Sequence, residues 1–169
     1  LCLNYILNIM PIIKLKSRIE EYKYRASKSD INEMSGRTNN PSLTRYVLNN
    51  IAKQVKNISG TIVDIGSGEG SLYKILKENN HMINKYIGIV PTKEEFKKLS
   101  REMNSFSPTV EIKKGFSDSL PLPENTADLV IINGVIVILE NKEEVFRTIK
   151  EIKRICKKGA FIFLGEVPF

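Results

Sequence analysis

The most constraining feature is a short apolar run, Thr61-Ile62-Val63-Asp64-Ile65, that ends in alternate glycines at Gly66, Gly68 and Gly70 before Ser71-Leu72-Tyr73-Lys74-Ile75-Leu76. A β-branched run closed by glycine reads as a buried strand. The residues after Gly70 return to helical spacing, so the glycines occupy a turn between a strand and a helix. Glycine there lets the backbone bend sharply and leaves the main chain open to close approach. A helix beginning near Gly70 offers free N–H groups at the same corner. The chain is thereby committed to a βα unit whose turn can receive a polar ligand.

The same change of period recurs downstream. KYIGIV (Lys85–Val90) is a second predicted strand, and Thr92 caps a helix through KEEFKKLSREM with Glu95 completing a capping box. TVEIKK (Thr109–Lys114) is the third strand, and ADLVIIN opens the fourth and most hydrophobic one. Asn141 and Glu144 predict another boxed helix, with Val145, Phe146, Ile149, Ile152 and Ile155 as its apolar face. Lys157, Lys158 and Gly159 are expected to end that helix, and AFIFLG is the fifth strand. Upstream, Ser42 is the expected cap of a helix in which Leu43, Tyr46, Val47, Ile51 and Val55 recur, while Lys14–Ala26 reads as a surface helix and Ser29–Ser42 as a loop. The alternation predicts an α/β fold: a Rossmann-like, doubly wound, mainly parallel sheet of about five strands with helices on both faces. An N-terminal extension and helical cover (1–42) would precede one domain (43–169).

Composition narrows the function classes. The 169 residues suit one domain. Cys2 and Cys156 lie far apart and match no metal spacing, and His81 is the single histidine, so neither a disulfide scaffold nor a metal site is indicated. No apolar run is long enough to span a membrane, and the cytoplasm is the expected location. The net charge of +7 is concentrated in residues 1–60, which hold 10 basic and 4 acidic side chains. Such a segment can attract nucleic acid, but no arginine cluster interleaved with aromatics accompanies it, and a lysine-rich solvated face is the simpler reading. The first thirteen residues, LCLNYILNIMPII, are apolar without a charged leader. Met10 reads as the natural start, and the chain as a fragment.

The glycine spacing separates the ligand classes. A dinucleotide fingerprint places its third glycine one position later, and a P-loop needs Gly-Lys-Ser/Thr, which is missing. Here the run is G-x-G-x-G with Asp64 two residues ahead. VDIGSGEGS resembles the first motif of the class I S-adenosylmethionine-dependent methyltransferases. YIGIVPTKEEF resembles that family's second strand and turn, KKGFSDSLPLPENTADLVIINGVI its loop after strand three and its fourth strand, and VFRTIKEIKRICKKGAFIFLGE its last long helix and fifth strand. The likeness covers roughly residues 43–167 and is nearest to the type 11 methyltransferase domains.

The resemblance implies S-adenosyl-L-methionine as cofactor, with Gly66, Ser67, Gly68 and Gly70 lining its methionine moiety and ribose. Asp64 would accept hydrogen bonds from its ammonium, and Glu69 would face solvent. The acid that usually grips the ribose falls at Val90, and the acid of the loop after strand three falls at Phe116, with Asp118 displaced by two. Phe116 would pack on adenine, and Ser117 or Asp118 would reach its amino group. Asn133 and Gly134 end strand four, where ligands bind in doubly wound folds, and Asn133 is expected to face the pocket as a cofactor-binding residue. Glu166 would face either substrate or solvent. Tyr22, Tyr24 and Arg37 belong to a cover over the acceptor. His81 reads as plain surface, and Cys156 as core filler on a helix edge. No catalytic residue and no metal ligand is assigned.

The implied activity is in-line methyl transfer to an oxygen or nitrogen of a small molecule. The rival readings are a non-catalytic relative of these enzymes and, from the basic N-terminal third, an RNA methyltransferase; a nicotinamide-dependent oxidoreductase is disfavoured by the glycine spacing. The family's sheet continues beyond strand five, so that strand's free edge is an expected site of self-association.

Overall fold

The computed structural model describes Tyr24, residues 40–106 and residues 108–166. Its elements are α1 (Pro41–Gln54), β1 (Gly60–Ile65), α2 (Ser71–Glu78), β2 (Ile83–Val90), α3 (Lys93–Met103), β3 (Val110–Lys114), β4 (Ala127–Asn133), α4 (Lys142–Ile155) and β5 (Cys156–Gly165). The strands form one sheet in the order β3-β2-β1-β4-β5, and every neighbouring pair is parallel. This is the doubly wound α/β architecture that the alternating periods imply. The expected cover residues Tyr22 and Arg37 lie outside the described residues, whereas Tyr24 is helical and exposed.

Strand pleat sorts the core into two layers, because successive side chains point to opposite faces. On one face Ile62, Tyr86, Val90, Leu129 and Ile131 pack with Leu48, Ile51 and Ala52 of α1 and Val55 just past it, Leu72, Tyr73, Ile75 and Leu76 of α2, and Leu99 and Met103 of α3. On the other face Val63, Ile65, Ile87, Ile89, Val130 and Ile132 pack with Ile152 and Ile155 of α4. Between β3 and β4 the crossing is made by a loop rather than a long helix, and its Leu120 and Leu122 are buried in that second layer.

Several local expectations are corrected. The cap of α1 is Asn40, not Ser42: its Oδ1 accepts the Leu43 N–H at 3.1 Å, and Pro41 takes the first turn, where a missing N–H does no harm. Leu43 and Tyr46 are exposed, and the buried stripe runs through Leu48, Ile51, Ala52 and Val55. In α4 the buried face is Thr148, Ile152 and Ile155, while Phe146 and Ile149 point outward. The capping box at Asn141 is half formed, since Glu144 accepts from the Glu140 N–H instead of that of Asn141. The helix stops at Ile155, so Cys156, Lys157, Lys158 and Gly159 belong to β5, and Gly159 adopts φ +82 there. Cys156 is half-buried, and burial pushes its thiol pKa up.

β5 reads from its sequence as a buried strand, yet it is the sheet's edge. Phe161, Ile162 and Leu164 are 60%, 48% and 51% exposed. Its register to β4 places Phe161 beside Leu129 and Ile162 beside Val130, so apolar side chains are open on both faces of the strand.

His81 is the clearest reversal, because it is buried rather than on the surface. Neither ring nitrogen completes a hydrogen bond of good geometry. Burial lowers its pKa, the nearby Ala52 carbonyl opposes that only partly, and the charge of Lys56 lowers it further. With its folded pKa below its unfolded value, His81 takes up its proton more readily in the unfolded chain. Its neutral form therefore supports the fold above about pH 6.5, and that support is lost as the pH falls. The expected outcome is a Tm that drops between about pH 7.5 and 5.5, with a smaller drop in a His81→Leu variant, read by thermal denaturation across that range.

Candidate functional site

In this strand order the connections after β1 and β4 leave the sheet in opposite directions, opening a crevice at the C-terminal ends of the two central strands. The glycine turn lies there. Gly66, Gly68 and Gly70 have φ of 79°, 55° and 73°, a left-handed run that side chains resist. The Ile89 carbonyl accepts both the Gly66 N–H at 2.9 Å and the Ser67 N–H at 3.1 Å, which bends the chain away from β1. The Ser67 carbonyl then accepts the Gly70 N–H at 2.9 Å. Gly70 is the N-cap of α2 and supplies no side-chain acceptor, so the start of that helix has no side-chain cap.

Around this turn the expected residues separate into groups. Asp64 is buried at the end of β1, and the Tyr86 hydroxyl donates to its Oδ2. Ser67 is fully buried, and its side chain turns toward β2: a Cβ on Gly88 would stand 2.7 Å from its Oγ, so Gly88 makes the room. That hydroxyl is an orphan with no hydrogen-bond partner. Glu69 is half-buried rather than fully solvated, with its Oε1 accepting from the Ser71 hydroxyl at 2.7 Å. Val135 closes against the turn, because a Cβ on Gly66 would meet its Cγ2 at 2.4 Å. Asn133 leans over β5, its Oδ1 against the bare Cα of Gly165. The Glu166 carboxylate covers Gly134, and Glu166 itself adopts φ 52. Glycine turn, β4 terminus and Glu166 thus lie together at the C-terminal end of the sheet.

Other expected residues are placed elsewhere. Val90 is fully buried among the residues of the first core layer, where an acid would be an uncompensated charge. Thr92 and Glu95, which follow at the start of α3, are bonded to each other. Phe116 is 37% exposed just past β3. Ser117 and Asp118 do not reach out beside it: Ser117 is buried with its Oγ 3.0 Å from Thr148 Oγ1, and Asp118 pairs with Arg147 at 3.2 Å. Both side chains are bonded to α4 through these contacts.

The loop that carries Phe116 is fastened to α4 by Glu151 and Arg154. Glu151 Oε2 accepts the Leu120 N–H at 2.8 Å, while Arg154 donates to the Leu122 and Leu120 carbonyls at 2.8 and 3.1 Å. The guanidinium also bonds Glu151 and holds that carboxyl below the usual carboxylate range. Tyr86, Val135 and Arg154 were not singled out by sequence. Tyr86 and Val135 look like ordinary strand and loop apolars, and Arg154 like a helix C-terminal cation. Among the described residues no group of three His, Cys, Asp or Glu side chains could hold a metal ion.

The left-handed glycine run, the uncapped start of α2, the buried acid and the orphan Ser67 hydroxyl fit a ligand with both a charged amine and polar oxygens. The comparisons with known proteins agree. The model of the type 11 methyltransferase family, described as a methyltransferase domain, matches residues 63–164. Among curated proteins no sequence matches significantly. A candidate S-adenosyl-L-methionine-dependent methyltransferase from Methanococcus maripaludis superposes with a TM-score of 0.65 at 22% identity, over 94% of this chain and 68% of its own. An S-adenosylmethionine-dependent methyltransferase from Leishmania major gives 0.70 at 16% identity, over 87% and 59%. The phosphoethanolamine N-methyltransferase 1 of Haemonchus contortus, in complex with phosphoethanolamine and S-adenosylhomocysteine, gives 0.66 at 20% identity, over 83% and 29%. The chain thus spans about a third to two thirds of the length of these structures.

Arg154→Ala should lower stability by about 2 kcal/mol, since charge-assisted bonds to a half-buried loop are lost, as thermal denaturation would register. Taken together, the fold, the glycine turn and the matched family model place the chain in the type 11 methyltransferase-domain family of class I S-adenosylmethionine-dependent methyltransferases, with S-adenosylmethionine as its cofactor.

Proposed function

We propose that the chain transfers a methyl group to an oxygen or nitrogen of a small-molecule acceptor. The observation that carries this reading is the meeting of the glycine turn with Asn133, Gly134 and Glu166 at the ends of β1, β4 and β5. Bound S-adenosylmethionine supplies an electrophilic methyl on its sulfonium, so the protein's part is binding and alignment. Gly66, Gly68 and Gly70 keep the backbone low enough for close approach, and the first amides of α2 donate to the ligand's oxygens. Asp64 accepts from the ammonium, a charge-assisted bond that a water-poor site strengthens. Phe116 packs on the purine. Asn133 and Glu166 line the acceptor side, where a carboxylate suits a hydroxyl or amine.

A second reading, a binding module without turnover, is favoured by one observation. Val90 offers no acceptor to the ribose hydroxyls, and Ser117 and Asp118 are engaged on α4. Turnover against a panel of small hydroxyl and amine compounds separates the two readings. An affinity for RNA that falls steeply with salt would support the third, nucleic-acid reading instead.

Calorimetric titration should detect S-adenosylhomocysteine but not NADH. Gly68→Ala should weaken that binding by about tenfold, since a side chain at φ 55 both strains the turn and obstructs the ligand. Unchanged affinity in the folded variant would remove the glycine turn from the site.

The same proposal extends to assembly. Among the described residues β5 is an edge strand, apolar on both faces, and through it the 169-residue chain should self-associate. Light scattering should find a dimer or larger species, and Ile162→Lys should shift it toward monomer. A wild-type monomer at all concentrations would contradict this association.

A further inference from the structure

Among the polar groups of the first core layer, one pair has no counterpart in the motif reading. Tyr86 lies on β2 with its side chain fully buried, and its hydroxyl donates to Asp64 Oδ2. In the register of β1 against β2, Tyr86 stands opposite Ile62 and Asp64 opposite Gly88. Tyr86 therefore reaches Asp64 diagonally along the same face of the sheet, from the side away from the glycine turn. Its ring is held in turn. Tyr73 of α2 packs against it at 5.1 Å between centroids and 56°, and Phe106 packs edge-on against Tyr73 at 5.2 Å and 68°. This column of rings joins β2 to α2, the helix whose start forms the other wall of the site. The donor on Asp64 is thus fixed to the two elements that frame the ligand.

The chemistry of the donor matters. A carboxylate at a strand end can rotate about two side-chain bonds, and a single bond from an immobile phenol selects one orientation. A lysine or arginine would orient it equally well but would cancel the charge that an ammonium needs. A phenol is neutral at ordinary pH, so it fixes the acid and leaves its charge in place. A carboxylate accepts several donors, so the bond from Tyr86 does not exhaust it.

We infer that Tyr86 is a positioning residue for the cofactor's amino-acid end: through its hydroxyl it aims the Asp64 carboxylate at the ligand's ammonium. The inference rests on the reading that Asp64 receives that ammonium. It assigns Tyr86 no contact with the ligand and no role toward the adenosine end.

The test compares two ligands on wild type and Tyr86→Phe by titration calorimetry. S-adenosylhomocysteine carries the ammonium, and 5′-methylthioadenosine keeps the adenosine and sulfur but lacks the amino-acid group. Tyr86→Phe should weaken S-adenosylhomocysteine by about tenfold and leave 5′-methylthioadenosine within about twofold. Equal losses for both ligands would mean a general packing role and would overturn the inference. So would no loss for either. A background of Asp64→Asn keeps the question answerable should Tyr86→Phe alone be too unstable, because a neutral amide costs less to bury without the phenol's hydrogen bond. In that background Tyr86→Phe should have no further effect on S-adenosylhomocysteine, and a full additional loss would overturn the inference. Wild type that binds 5′-methylthioadenosine and S-adenosylhomocysteine equally well would instead refute the role given to Asp64, a result distinct from any of these.

Discussion

The carbonyl of Ile89 accepts two amides, those of Gly66 and Ser67, and the rest of the site depends on that pair of hydrogen bonds. β1 would otherwise continue straight past β2. Held at its end by a neighbouring strand, the chain must bend at once, and only residues free to take left-handed backbone angles can follow. The three alternate glycines answer that demand, and α2 begins directly after them with its first amides turned back over the sheet. The bend also sets the small residue opposite it. Gly88 carries no side chain, and Ser67 occupies the space beside it. One hydrogen-bonding arrangement thus explains a glycine motif on one strand and a glycine in the middle of the next.

Most of the fold was legible because it depends on period and on glycine, both of which are local properties. The strands β1 to β4 and helix α3 are where their β-branched runs, capping pair and amphipathic spacing put them. What the sequence misplaced depends on which neighbour arrives from far away. Phe146 and Ile149 have helical spacing suited to burial, but α4 turns Thr148 inward, where the Ser117 hydroxyl satisfies it. β5 has the composition of a buried strand, and its exposure follows from its place in the sheet order rather than from its own residues. His81 follows a polar Asn-Asn pair and looks solvated, yet the packing of α1 against α2 encloses it.

The site was legible in the same uneven way. The glycine turn was readable because a strand-turn-helix corner needs residues free to take left-handed backbone angles, whereas Asp64 followed from the resemblance alone. The side to which Ser117 and Asp118 turn was not readable, since a polar residue in a loop can turn to either side. Here α4 presents Thr148 and Arg147 to them, so these polar groups bind the loop to the scaffold. Phe116, next to them, keeps its ring partly open. Tyr86 is hidden for a different reason: an aromatic in a strand is usually core, and only the position of its hydroxyl distinguishes it from phenylalanine.

The sheet order also bears on how the chain is made. β1 pairs with β2, which follows it closely, but its other edge waits for β4, and the bond from the Thr61 amide to Asp128 spans 67 residues. On a ribosome, β1, β2 and β3 can join with α1, α2 and α3 as they emerge, burying one face of the sheet early. Through that interval β1 carries a row of unpaired N–H and C=O groups along one edge, and the opposite face lacks α4. Strand pairing over such distances is slow, because the intervening chain must be ordered before the contact rewards it. The nascent half-sheet is therefore the stage at which a chaperone has most to protect, and its exposure ends only when β4 has paired with β1 and α4 has covered the opposite face.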